Sequence, residues 1–216
     1  MNTLHHVMLD IDGTLVESFN FDEECYLNAV FEVLGHRIDS DWRQYTHVTD
    51  SGILHQHLKT RGLLHLQERI HFKVKETFVA NIGRHVEQHS ISEIKGARLF
   101  VEQLKARSDV SLSIATGGWE ETARIKLEAV GLDVTGIPIA SSNDHFSRTE
   151  IMRIALEKAL VKPHQKVTYF GDGEWDKKAC EKLGFNFVLV GNNAIHDKAI
   201  SDFDDLEGAL NYIGLV

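Results

Sequence analysis

From residue 97 to residue 190 the chain alternates between helical and strand-like segments, and this alternation restricts the fold more than any other feature. Apolar residues recur every three or four positions in the predicted helices and run together in the predicted strands. Such alternation predicts a parallel sheet with helices on both faces. The predicted elements are helices over 97–105, 120–130, 149–160 and 177–183, and strands over 110–115, 137–141, 166–170 and 186–190. Ligands bind such sheets beyond the carboxyl ends of the strands, so functional residues are expected there.

The N-terminal part of the chain departs from this alternation. A buried strand is predicted over residues 4–9, but no segment between residues 19 and 93 resembles a parallel strand. That stretch instead carries the spacing of amphipathic helices, which are predicted over 21–34, 51–64 and 66–89. We therefore expect a Rossmann-like, three-layer α/β core with a parallel sheet, formed by residues 1–16 and 94–216. Residues 17–93 are expected to form an inserted α-helical domain.

The charge balance restricts the partners. The 216 residues carry a net charge of -9, which argues against a nucleic-acid partner because backbone phosphates would be repelled. No apolar run approaches the roughly 20 residues of a membrane span, and the N-terminus lacks the pattern of a secretory signal. A cytoplasmic protein without a membrane partner is expected, with Cys25 and Cys180 reduced. An anionic substrate would then need a local source of positive charge.

Two carboxylates follow the first predicted strand. Asp10 and Asp12 end an apolar run and precede a glycine. Ionised carboxylates this close at the end of a buried strand repel each other unless a cation or a proton compensates. Oxygen-only ligands suit Mg²⁺, and a phosphate is then the expected anionic substrate. Gly13 and Thr14 allow a sharp turn that can point backbone N–H groups at the phosphate. An acidic turn without a function is the alternative.

The order of apolar strand, Asp10, Asp12, Gly13, Thr14 and Leu15 resembles the first motif of the haloacid dehalogenase superfamily, whose members are mostly phosphatases. The resemblance implies that Asp10 is a nucleophile that forms an aspartyl-phosphate. It implies that Asp12 is the general acid and base and that its backbone carbonyl binds the metal. An acid at position 12 favours an oxygen leaving group, and hence an ester phosphate.

The second motif follows the strand over 110–115. Thr116, Gly117 and Gly118 precede a predicted helix, whose N-terminus presents free N–H groups to an anion. The Thr116 hydroxyl can donate one further bond to a phosphate. An ordinary helix cap is the alternative interpretation.

The third element is a cation, which the superfamily usually places one helix before its last acidic motif. Arg148 fits this place, and Ser147 with Glu150 has the spacing of a capping box. Arg148 would neutralise Asp10 and bind the phosphate through two bonds. Lys162 is the rival, but it follows the helix and lies too close to the next strand.

The fourth motif follows the strand over 166–170. Asp172, with Asp176 four residues later, resembles the last motif of the superfamily. Asp172 is expected to bind Mg²⁺ directly, and Asp176 to contact it through water or to cap the next helix. Glu174 lies between them and is a weaker candidate. The predicted metal ligands are therefore Asp10, Asp12, Asp172 and Asp176.

The helical insertion resembles the cap domain of the superfamily, which closes over the active site. Thr49 and Asp50 lie at a predicted helix start where they could face the substrate, although a structural capping role is equally open. The expected function is Mg²⁺-dependent hydrolysis of a small phosphorylated metabolite, as in phosphoglycolate phosphatases. The alternatives are a phosphomutase of the β-phosphoglucomutase type and a non-catalytic binder of phosphate esters. The protein could be a monomer or a homodimer.

Overall fold

The computed structural model describes residues 5–215, and six parallel strands form one sheet within this range. The strands are β1 (His5–Leu9), β2 (Val110–Ala115), β3 (Ile139–Ala140), β4 (Lys166–Gly171), β5 (Asn186–Val190) and β6 (Ala199–Ile200). They are ordered β3-β2-β1-β4-β5-β6, and every neighbouring pair is parallel. The predicted α/β class is confirmed. Residue 4 of the first predicted strand lies outside the described residues.

Eight α-helices accompany the sheet. They are α1 (Phe19–Leu34), α2 (Asp50–Thr60), α3 (Gln67–Gln88), α4 (Ala97–Lys105), α5 (Glu120–Ala129), α6 (Arg148–Lys158), α7 (Glu174–Leu183) and α8 (Leu206–Ile213). Short 3₁₀ turns lie at Trp42–Gln44 and Leu64–Leu66. Within residues 5–215 no helix is both long and apolar enough to cross a membrane.

Several predicted elements differ from the structure at their ends. Helix α2 stops at Thr60 instead of residue 64, because Gly62 adopts a left-handed φ of 69°. Strand β3 has two residues where five were predicted. The C-terminal β6 and α8 were not predicted. A two-residue strand such as β6 carries almost no periodic signal.

Side-chain alternation along the strands divides the core into two layers. Val7 and Leu9 of β1 belong to an apolar cluster with residues of α4, α5 and α8. Met8, which points to the opposite face, packs in a second cluster with residues of α6 and α7. Helices therefore cover both faces of the sheet, as the alternation predicted.

The helical insertion has an apolar core of its own, formed by residues of α1, α2 and α3. The chain enters and leaves it through adjacent segments, where Glu17 N–H donates to Ser92 O at 2.9 Å and Ile94 N–H donates to Leu15 O at 2.9 Å. The limits of the insertion at residues 17 and 93 stay a prediction. Trp119, which precedes α5 of the core, is buried in this insertion cluster and joins the two parts.

Candidate active site

The register of three neighbouring strands gathers the predicted functional residues at one edge of the sheet. Leu9 of β1 lies beside Ile114 of β2 and Phe170 of β4. Asp10 follows Leu9 directly, and its N–H donates to Phe170 O at 2.9 Å. Because the strands are parallel, Thr116 and Asp172 follow β2 and β4 at the same edge.

Asp10 is almost fully buried, with 3 % of its surface exposed. Its Oδ2 accepts a hydrogen bond from Nη2 of Arg148 at 3.2 Å, while its Oδ1 has no hydrogen-bond partner. Burial raises the pKa of Asp10 well above its ordinary range, against the opposing effect of Arg148. A buried carboxylate oxygen without a donor is costly, so this atom points to an absent ligand.

Three carboxylates converge on a space suited to a cation. Asp10, Asp172 and Asp176 are buried, and each offers one oxygen such that the three oxygens lie within 4.8 Å of one another. Burial, together with the nearby Asp176, raises the pKa of Asp172 to about 7. An all-oxygen donor set fits Mg²⁺, because three buried carboxylates that converge without a cation would repel one another.

Gly13 allows Asp172 to approach β1. A Cβ atom at Gly13, whose φ is 72°, would lie 2.2 Å from Oδ2 of Asp172. The N–H groups of Gly13 and Thr14 donate within the turn, to Val16 O at 2.9 Å and Ile11 O at 3.2 Å. The turn itself therefore uses these two amides, and a substrate contact of Gly13 and Thr14 stays a prediction. The Thr14 hydroxyl is buried and has no partner.

Asp176 holds Arg148 and the start of α7. Its Oδ1 lies 2.9 Å from Nη2 of Arg148 and accepts a hydrogen bond from the Tyr169 hydroxyl at 3.2 Å. Its Oδ2 accepts from Gly173 N–H at 3.1 Å, which caps the helix. Both oxygens have protein partners, and the contact with Gly173 is the helix cap that the sequence offered as an alternative role for Asp176.

Arg148 begins α6, as predicted, and its guanidinium is buried. Nη2 is engaged by the two aspartates, whereas Nε and Nη1 have no hydrogen-bond partner. The predicted capping box at Ser147 is absent, because the Ser147 hydroxyl contacts Thr149 Oγ1 at 3.0 Å instead. Lys162, the rival cation, lies in the turn after α6 with its N–H bonded to Gln165. Two unsatisfied donors on a buried cation form a site for an anion.

Thr116 and the two glycines after it form the turn between β2 and α5. Oγ1 of Thr116 accepts a hydrogen bond from Gly118 N–H at 3.1 Å. A Cβ at Gly117 would lie 3.0 Å from Nη1 of Arg148 and 3.0 Å from Val48 O. The turn therefore packs closely against both the cation and the helical insertion, which a larger residue at position 117 would prevent.

Asp12 is held by a buried lysine that the sequence did not identify. Nζ of Lys126, in α5, contacts Oδ1 of Asp12 and lies 2.6 Å from Oδ1 of Asp22 in α1. The Ser18 hydroxyl also donates to Oδ1 of Asp12. Burial alone would lower the pKa of Lys126, but the two carboxylates raise it above its ordinary value. The lysine thus stays charged and ties the insertion to the core.

A sequence signal for Lys126 did exist. Position 126 lies on the same helical face as Ala123, Leu127 and Val130, which are buried. A lysine on the apolar face of a helix needs a buried acidic partner. The partners could not be named from sequence, because they lie 104 and 114 positions away.

Replacing Lys126 with methionine is expected to lower the free energy of unfolding by about 3 kcal/mol, because two carboxylates lose their buried counter-ion. Lys75→Met is the matched control. Lys75 also joins the insertion to α5, at 2.7 Å from Glu121, but this pair is partly exposed. Its loss should cost less than about 1 kcal/mol. Urea denaturation measures both values, and equal losses would contradict the role given to Lys126.

Thr49 and Asp50 attach the insertion to the core. The Thr49 hydroxyl accepts from Gly52 N–H at 3.0 Å and donates to Phe146 O at 2.7 Å. Asp50 N–H donates to Gly117 O at 2.9 Å, and Oδ2 of Asp50 accepts from Trp119 N–H at 2.8 Å. Thr49 thus caps α2, a role that the sequence had offered for Asp50 or Ser51, and Asp50 binds the turn that carries Thr116.

These elements enclose a cavity of about 100 Å³. Nine of the predicted site residues line it, namely Asp10, Asp12, Thr49, Asp50, Thr116, Gly117, Gly118, Arg148 and Asp172. Gly13, Thr14 and Asp176 are not among the lining residues. The insertion contributes further lining residues that were not predicted, namely Phe19, Asp22, Glu23, Tyr26, Trp42, Val48 and Ile53, and the core contributes Trp175.

Comparison with known proteins gives an independent view of this arrangement. A family model described as haloacid dehalogenase-like hydrolase matches residues 7–190. No curated protein sequence matches the chain. A hydrolase from Pseudomonas syringae is 20% identical with a TM-score of 0.76, over 97% of this chain and 99% of its own. CbbY from Rhodobacter sphaeroides is 20% identical with a TM-score of 0.74, over 98% and 100%. The β-phosphoglucomutase of Clostridium difficile is 13% identical with a TM-score of 0.73, over 99% and 98%.

At these identities the structural similarity shows the fold alone. The family match extends further, because it spans the three strands that carry Asp10, Thr116 and Asp172 together with the helical insertion. The arrangement of these residues at one sheet edge agrees with the motif order found in the sequence. The chain therefore belongs to the haloacid dehalogenase-like hydrolases.

Proposed function

We propose that the protein is a Mg²⁺-dependent phosphatase that hydrolyses a small phosphomonoester through an aspartyl-phosphate on Asp10. The observation that carries this proposal is the pairing of unsatisfied atoms in one cavity. Oδ1 of Asp10 lacks a donor, and Nε and Nη1 of Arg148 lack acceptors. A phosphoryl group supplies what each of them lacks, with an electrophilic phosphorus for the carboxylate and anionic oxygens for the guanidinium.

The first chemical step belongs to Asp10 and Asp12. Oδ1 of Asp10 attacks phosphorus and forms an O–P bond while the bond from phosphorus to the alcohol oxygen breaks. Protonated Asp12 gives its proton to the departing alcohol. Lys126 and Ser18 hold Asp12 through Oδ1, which leaves Oδ2 as the oxygen that carries the proton. The Thr116 hydroxyl and Arg148 bind the phosphoryl oxygens throughout.

The second step regenerates the protein. Asp12 removes a proton from a water molecule, whose oxygen attacks phosphorus as the bond to Asp10 breaks. The products are the free alcohol and inorganic phosphate. Asp10, Asp172 and the backbone carbonyl of Asp12 would hold Mg²⁺, with Asp176 near it. When bound, the ion offsets carboxylate repulsion and the negative charge of the phosphate.

The size of the cavity supports a small substrate. About 100 Å³ is well below the roughly 300 Å³ at which pockets for drug-sized ligands begin. The insertion covers the cavity through Asp50 and Thr49, and such a cover favours a small ester over a phosphoprotein. The similar CbbY structure was determined in complex with phosphate, which is consistent with a phosphorylated substrate.

Phosphate release from p-nitrophenyl phosphate tests the proposal directly. The protein with Mg²⁺ is expected to release phosphate continuously over many turnovers. A phosphomutase, suggested by the similar β-phosphoglucomutase fold, would instead isomerise a sugar phosphate without net release. Incubation with glucose 1-phosphate and ³¹P NMR of the products separates these outcomes. Isomerised sugar without free phosphate would contradict the phosphatase assignment, and so would binding of esters without any turnover.

A further inference from the structure

The part of the cavity formed by the helical insertion is acidic and aromatic. Asp22, Glu23, Tyr26 and Trp42 all line it. Of the described residues that line the cavity, Arg148 is the one lysine or arginine, and it contacts Asp10. Lys126 is fully buried behind the wall and already pairs with two carboxylates. The space around the leaving group therefore contains no cationic side chain that could accept an anion.

Glu23 differs from the other carboxylates of this wall. Asp22 pairs with Lys126 at 2.6 Å. Asp50 forms no ion pair among the described residues either, but it is buried and accepts from the backbone N–H of Trp119 at 2.8 Å, whereas Glu23 is only half-buried. Glu23 forms no ion pair within residues 5–215, and its carboxylate accepts a hydrogen bond from Nε1 of Trp42 at 2.7 Å. This bond orients both the carboxylate and the indole ring at the cavity surface. The phosphate end of the same cavity is marked independently by the buried, unpartnered atoms of Arg148 and Asp10.

The side chains in this part of the cavity favour a leaving group with a positive charge. A carboxylate in a half-buried, aromatic environment repels a second anion and attracts a cation more strongly than it would in water. The indole and phenol rings of Trp42 and Tyr26, whose centroids are 6.5 Å apart, add faces to which ammonium groups bind. A substrate whose leaving group carries a carboxylate or a second phosphate would meet Glu23 without a compensating cation.

Resting on the proposed phosphatase activity, we propose that the substrate is the phosphate monoester of a short amino alcohol, whose ammonium group binds Glu23 and Trp42 while its phosphate binds Asp10 and Arg148. The leaving group would be small because the cavity is small. This assignment separates the chain from hydrolases of phosphoglycolate, whose leaving group is an anion.

Four phosphate esters of similar size test the proposal on the full-length protein with Mg²⁺. Phosphoethanolamine carries an ammonium group, 2-hydroxyethyl phosphate a hydroxyl, propyl phosphate a methyl group and phosphoglycolate a carboxylate. We expect kcat/KM for phosphoethanolamine to exceed that for propyl phosphate and 2-hydroxyethyl phosphate about tenfold, with phosphoglycolate slowest. Equal values for the first three esters, or a preference for phosphoglycolate or the hydroxyl ester, would overturn the inference.

Glu23→Gln provides the residue-level test. In this variant the ratio of kcat/KM between phosphoethanolamine and propyl phosphate should fall from about ten to about one, since the charge is lost while size is kept. Glu24→Gln is the matched control, because Glu24 is adjacent, exposed and absent from the cavity lining. Glu24→Gln should keep the tenfold ratio of kcat/KM between phosphoethanolamine and propyl phosphate. A Glu23→Gln variant that also keeps it would overturn the assignment of Glu23.

p-Nitrophenyl phosphate distinguishes the two proposals. If neither it nor any of the four esters is hydrolysed with Mg²⁺, the phosphatase function itself is wrong. If it is hydrolysed while phosphoethanolamine is no better than propyl phosphate, only the preference for an ammonium group is wrong.

Discussion

Asp10→Asn is expected to reduce phosphate release from p-nitrophenyl phosphate by at least about 10⁴-fold. An amide oxygen is a far weaker nucleophile than a carboxylate oxygen, so the O–P bond to residue 10 cannot form at a useful rate. Removing the charge should leave the fold intact, because Nη2 of Arg148 keeps its ion pair with Asp176 at 2.9 Å. Steady-state measurement of phosphate release, with thermal unfolding to verify folding, gives the result.

The control for this variant is Asp133→Asn. Asp133 is an exposed carboxylate that pairs with Lys105 and does not line the cavity, so activity should be retained. A second measurement is the phosphate bound covalently to protein that is quenched with acid during turnover. The native protein should carry phosphate on residue 10, and Asp10→Asn should carry none. Full activity in Asp10→Asn would refute the nucleophile, whatever the behaviour of the control.

Removal of divalent metal with EDTA is expected to lower activity roughly a thousandfold, and added Mg²⁺ should restore it. The estimate follows from the several kcal/mol that a bound metal contributes to stabilising charge in phosphoryl transfer. Asp172→Asn should show the same low activity at every Mg²⁺ concentration, because one of the converging carboxylates is lost. Mg²⁺ should also raise the melting temperature of the native protein more than that of this variant.

The pH dependence of metal binding has a definite sign. Because the pKa of Asp172 is raised to about 7, this carboxyl is protonated below pH 7 and must lose its proton to bind metal. The half-saturating Mg²⁺ concentration should therefore rise about tenfold for each pH unit below 7 and level off above it. Activity that is unaffected by EDTA, or half-saturation that is independent of pH, would contradict the metal site.

The core of the site was predictable because its motifs are local. Asp10 and Asp172 each follow a strand within two residues, and parallel strands bring their carboxyl ends to one edge. Arg148 was predictable because the superfamily usually places a cation one helix before its last acidic motif. The turn after β1 was predicted, but its hydrogen bonds were not, since the Gly13 and Thr14 amides bond within the turn. Turn residues alone do not reveal which N–H groups the turn uses.

Other contacts depended on how distant segments meet. The bond between Trp42 and Glu23, and the pairing of Lys126 with Asp12 and Asp22, join residues that no local pattern relates. The role of Thr49 was open in the sequence, because a threonine at a helix start can cap the helix or face a ligand. Only the approach of Phe146 determines that its hydroxyl donates to the core.

The sequence by itself determined the α/β class, the helical insertion and most of the polar residues that line the cavity, because hydrophobic periodicity and strand-end motifs depend on nearest neighbours along the chain. The tertiary structure decided how the insertion docks on the core, that Asp12 and Asp22 share a buried lysine, and that the half-buried Glu23 faces the cavity without a counter-ion. Those outcomes depend on distances between side chains that are far apart in sequence, and electrostatic pairing responds to such distances rather than to spacing along the chain.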